Sequence, residues 1–68
     1  RVFHRLYNMS FIEYINRNRV DVAARMIKET KRALKDISKD VGFSSDISFR
    51  RSFIRYKGVT AGKYRKLV

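Results

Sequence analysis

Cysteine and proline are both missing from these 68 residues. Without cysteine there is no disulfide frame and no cysteine zinc site. Without proline, and with three glycines in all, the chain has few obligatory breaks, which suits helices. Those glycines, Gly42, Gly58 and Gly62, are too scattered to form a phosphate-cradling loop. Histidine occurs once, as His4, too few for a histidine metal cluster or a catalytic triad. No apolar run approaches the roughly 20 residues needed to span a bilayer, and no signal-peptide pattern opens the sequence. Asp36 and Asp40 are four apart but alternate with Lys35 and Lys39, a solvated face with weak charge pairs. The sequence therefore offers no catalytic constellation and calls for no metal or cofactor.

Acids are scarce too. Six of them face 17 lysines and arginines, leaving a net charge of +11. Such a charge repels itself in a compact state and points to a polyanionic partner. Residues 1–41 carry +5 (10 basic, 5 acidic) and the shorter stretch 42–68 carries +6 (7 basic, 1 acidic). Basic density thus rises toward the C-terminal side. Sixty-eight residues allow one small domain with a thin core. Aromatic and aliphatic residues are too many for a disordered tail.

The stretch 34–56 organises the chain. Leu34, Ile37 and Val41 recur at steps of three and four, one face of a short helix. Gly42 stands where a helix ends in a left-handed residue, and Phe43 is placed to pack back on it. Ser44 and Ser45 offer cap oxygens to a second helix. There Phe49, Phe53 and Tyr56 make an apolar face. Helix, glycine turn, helix is a helix-turn-helix pattern. On the opposite side lie Ile47, Arg51 and Ile54, flanked by Arg50, Ser48 and Arg55. In a DNA major groove arginine can donate two bonds to guanine, and an apolar side chain can touch the thymine methyl. The competing reading packs both isoleucines on a neighbouring helix and leaves the arginines solvated.

The rest is helical as well. Residues 1–9 read as the end of a helix that begins without a cap and closes at Asn8. Ser10 and Glu13 form a capping box for a helix over 10–30, with Met9 and Tyr14 as its hydrophobic staple. The stripe expected to be buried in that helix is Phe11, Ile15, Val22 and Met26, with Ala23 and Ile27 beside it and Asn18 at its edge. Ala33 is a poor cap for the helix starting at Leu34. After Lys57 and Gly58, Thr60 caps a C-terminal helix over 60–68.

A shift of 50 positions lays Arg1 on Arg51, Phe3 on Phe53, Arg5 on Arg55, Asn8 on Gly58, Ser10 on Thr60 and Tyr14 on Tyr64. That register suggests duplication. The chain then reads as two helix-turn-helix units joined by a long helix, the first unit incomplete and Phe3 and Leu6 in need of cover. A linker of about 30 Å matches the roughly 34 Å between successive major-groove segments.

With these residues assembled, the chain resembles the C-terminal DNA-binding domain of the AraC/XylS family of bacterial transcription regulators. The likeness lies in Ile37, Val41-Gly42-Phe43-Ser44, Phe49, Arg51, Phe53, Tyr56, Gly58-Val59-Thr60 and Tyr64-Arg65. In the first unit and linker it lies in Arg1-Val2-Phe3, Met9-Ser10-Phe11, Tyr14, Arg19 and Ala23. The resemblance implies an all-α fold of tandem helix-turn-helix units reading promoter DNA in the cytoplasm. It places base-reading at Asp46, Ile47, Arg50 and Arg51, with Arg1 from the first unit. Phosphate contacts are expected at Arg5, Ser44, Ser45, Arg55 and Lys57. It also implies a sensing, receiver or dimerisation domain on the N-terminal side of the parent protein, and RNA polymerase as a further partner. Ala61 departs from a usual proline, Ala33 from a common capping serine, and Asn18 from a common apolar residue. Asp46 can accept from cytosine N4 or serve the helix dipole as an N-terminal charge.

Two other classes stay open at this level. A cationic membrane-surface helix would have to be continuous, which Gly42 and Gly58 argue against. A helical RNA-binding or protein-docking module would be expected to expose aromatics for base stacking, whereas these aromatics are spaced for burial.

Overall fold

The computed structural model describes residues 10–68, and among them every regular element is a helix: α1 (Phe11–Glu29), α2 (Leu34–Asp40), α3 (Asp46–Lys57) and α4 (Ala61–Leu67). The expectations at Arg1, Phe3, Arg5, Leu6, Asn8 and Met9 lie outside the described residues.

Three of the four described helices begin at a capping hydroxyl. Ser10, in extended backbone, accepts from the Glu13 N–H at 3.1 Å, and the Ser10 N–H donates to Glu13 Oε1 at 3.2 Å. The two bonds close the capping box and satisfy two N–H groups that the first turn cannot. Thr60 does half of this for α4, accepting from the Lys63 N–H at 3.1 Å. Tyr14 and Tyr64 hold the same place four residues after their caps. Ala33 precedes α2 with no side-chain cap bond, as its methyl dictates.

α1 packs against α2, α3 and α4 together, and the core sits along that seam. Val20, Ala23, Ala24 and Ile27 of α1 meet Ile37, Phe43, Phe49, Phe53 and Ala61 there, all buried. This corrects the expected stripe in part: Ala23 and Ile27, expected beside it, are in the core and Met26 packs against it, but the rest of the stripe is not buried. Phe11 is 61% exposed and Val22 45% exposed, while Ile15 and Met26 are half-buried. At 100° per residue the real core face, centred on Val20, is nearly opposite the expected one. α1 is apolar on two sides, and periodicity alone does not choose between them. The small side chains of Ala23 and Ala24 decide it, because they let three helices approach one flank closely. Asn18 is exposed, outside the packed seam.

Candidate nucleic-acid interface

Three aromatic contacts set the rotation of α3 about its own axis. Phe43 meets Phe49 edge-on with centroids 5.5 Å apart, Phe49 meets Phe53 at 5.7 Å, and Phe53 meets Tyr64 of α4 at 5.4 Å. Such pairs contribute about 0.5–1.5 kcal/mol each beyond the area they bury. With Phe49 and Phe53 turned inward, the other side of α3 must face out. Asp46, Ile47, Arg50, Arg51 and Ile54 are all exposed, Ile47 by 63% and Ile54 by 46%. Among the described residues neither isoleucine is a core residue, which counts against the competing reading that packs both on a neighbouring helix.

The turn between α2 and α3 is built from hydrogen bonds that need a glycine. The Phe43 N–H donates to the Ser38 carbonyl at 3.0 Å and the Gly42 N–H to the Lys39 carbonyl at 3.1 Å, a Schellman closure. Gly42 takes φ 107°, a region side-chain-bearing residues avoid. Ser45 caps α3, accepting from the Ser48 N–H at 3.1 Å, while Ser44 lies exposed in the turn. The first turn of α3 therefore presents free N–H groups and the positive end of the helix dipole beside Ser44 and Ser45.

Among the described residues Arg50 and Arg51 make no ion pair. Arg50 and Asp46 border a groove of about 380 Å³ closed by Leu34, Lys35 and the start of α4. Arg55 and Lys57 are different. Arg55 Nη2 lies 2.8 Å from Glu13 Oε2, and its guanidinium sits over the Tyr56 ring at 5.7 Å. Lys57 Nζ lies 3.1 Å from Asp21 Oδ1. Both of these expected phosphate contacts already have carboxylate partners on α1. Arg32 bonds Asp40, which holds its guanidinium above its usual pKa. Asp40 thus pairs with an arginine outside α2, not with the lysines alternating along it.

Sequence reasoning missed three contributors. Arg19 of α1 lays its guanidinium over Phe43 at 5.8 Å and against Gly42. Glu13 serves its own cap and Arg55 at once. Ser38 is buried, 2% exposed, under the Schellman turn. The available signals were the acids Glu13 and Asp21 two turns apart on one basic chain, and an arginine one turn before the small-residue seam.

Comparison with known proteins agrees with this geometry. A family described as a helix-turn-helix domain matches residues 1–67. The Msm operon regulatory protein of Streptococcus mutans is 32% identical over 66 residues, which are 97% of this chain and 24% of that protein. A putative AraC-like transcription regulator of Streptomyces lividans is 36% identical over 55 residues, 81% of this chain and 18% of that protein. A solved structure of a protein of unknown function from Listeria innocua is similar with a TM-score of 0.92 and 32% identity, covering 97% of this chain and 63% of that one. The chain spans under a quarter of the length of these curated relatives. The match across nearly every residue, on a helix-turn-helix with its basic side exposed, places this chain in the AraC-type helix-turn-helix family of DNA-binding transcription regulators.

Proposed function

We propose that α3 is a recognition helix that enters the DNA major groove with Asp46, Ile47, Arg50 and Arg51 at base edges, Arg1 contributing from a preceding unit. One observation carries this reading: Ile47 and Ile54 stand exposed beside Arg50 and Arg51, which make no ion pair among the described residues, on the side of α3 away from its aromatic anchor. Exposed isoleucine is unfavourable in water and suited to thymine methyl groups, and arginine suits guanine O6 and N7. Arg5, Ser44 and Ser45 hold phosphates and fix register. Arg55 and Lys57 lie at the edge of the interface, already paired with acids. Phosphate contacts supply salt-dependent affinity, and base contacts supply choice of site.

α1 acts as the linker between this unit and a first one. Its second apolar side, at Phe11, Ile15 and Val22, supports that role, because a second packed unit would bury it. The parent regulator works in the cytoplasm, carries a sensing, receiver or dimerisation domain, and acts at promoters with RNA polymerase. Among the described residues no helix is long and apolar enough to cross a membrane.

Selection of bound sequences from a randomised duplex pool tests the reading. The full-length protein is expected to enrich one motif. Arg51→Ala should then lose about 1–3 kcal/mol on that motif and little on random duplex. Equal losses on both would make Arg51 a phosphate contact. Stronger capture of structured RNA than of any duplex would favour the RNA-binding alternative.

A further inference from the structure

Three consecutive residues at the end of α3 are each bound to α1, between Glu13 and Asp21. Arg55 pairs with Glu13 at 2.8 Å, the Tyr56 O–H donates to the Glu13 carbonyl at 3.3 Å, and Lys57 pairs with Asp21 at 3.1 Å. An isolated surface ion pair contributes little, because ordering two long side chains offsets the attraction. Here much of that ordering is already present. The Glu13 carboxylate is held by the Ser10 N–H through its other oxygen. The Arg55 guanidinium is held over the Tyr56 ring, and the Lys57 side chain is 29% exposed. Two of the six acids of this basic chain are committed to this seam.

We infer that Glu13 and Asp21 are positioning residues for DNA reading: through Arg55 and Lys57 they fix the angle at which α3 is presented, and neither cation is a phosphate contact. A phosphate approaching Arg55 would meet a guanidinium already fixed on Glu13 through one nitrogen, and would come close to that carboxylate with like charge. The inference rests on α3 being the reading helix, and it revises the part expected of Arg55 and Lys57.

Glu13→Gln separates the possibilities, because an amide oxygen still accepts from the Ser10 N–H and keeps the cap while the charge opposite Arg55 is gone. In the full-length protein, Glu13→Gln and Asp21→Asn are each expected to weaken binding to the selected duplex by about two- to fivefold. Binding to random duplex and the slope of log affinity against log salt should stay unchanged. Arg55→Ala should reproduce the loss with the slope intact, and Glu13→Gln added to Arg55→Ala should add nothing further. Thermal melts of each variant report whether the fold is kept. Tighter binding of Glu13→Gln to both duplexes would overturn the inference, since it would mean that a competitor for Arg55 had been removed. A slope flattened by about one unit in Arg55→Ala, or unchanged affinities throughout, would overturn it equally. Failure of the recognition-helix reading shows itself elsewhere, as an Arg51→Ala protein with its site preference intact.

Discussion

Gly42 and Gly58 both sit at positive φ, 107° and 77°, but in different surroundings. A Cβ on Gly58 would meet nothing within 4 Å, whereas on Gly42 it would lie 2.9 Å from Arg19 Nε. Gly58→Ala should therefore cost the left-handed strain alone, about 1–2 kcal/mol. Gly42→Ala should cost that strain plus about 0.5–1 kcal/mol, because the guanidinium must leave the Phe43 ring. Urea midpoints should rank the two accordingly, and the gap should close when both are repeated in an Arg19→Ala background. At this scale the sequence was uneven as a guide. Both glycines were legible as helix stops because their offset from the apolar pattern shows it. Arg19 was not, since the partner of a long flexible cation depends on a turn more than twenty positions away.

Helix starts were the most legible elements. Ser10 with Glu13 and Thr60 with Lys63 bond as their spacing foretold, because a cap is a contact between residues three apart. The same locality makes caps adjustable. Ala33 stands in extended backbone, φ −62° and ψ 143°, with no side-chain bond to the start of α2. Ala33→Ser should stabilise the chain by about 0.5–1 kcal/mol, and Ser45→Ala should destabilise it by about 1 kcal/mol. Denaturant midpoints at constant slope test both. Ser45→Ala should also loosen the first turn of α3, where Asp46 and Ile47 lie. The buried face of α1 was legible only in Ala23 and Ile27, because its apolar residues occupy two sides and the choice between them is made by helices elsewhere in the chain.

For the molecule as a whole, a thin core makes single large side chains decisive. At 68 residues the expected stability is about 3–10 kcal/mol. Phe53 is fully buried and touches both Phe49 and Tyr64. Phe53→Ala should remove about 3–5 kcal/mol, enough to leave much of the protein unfolded at 37 °C, seen as lost helical circular dichroism. The exposed side of α3 was legible because the aromatic anchor opposite it has a clear period. The occupation of Arg55 and Lys57 was hidden, since which acids neutralise a basic face is settled by tertiary structure. Eight residues separate Glu13 from Asp21, so the two fastenings on α1 stand about 12 Å apart along its axis. A single fastening would act as a pivot, and α3 could swing about it. Two fastenings, on different turns of α1, resist that swing. Under the proposed role of α3, a helix so mounted would follow any rotation of α1 with little lost motion between them.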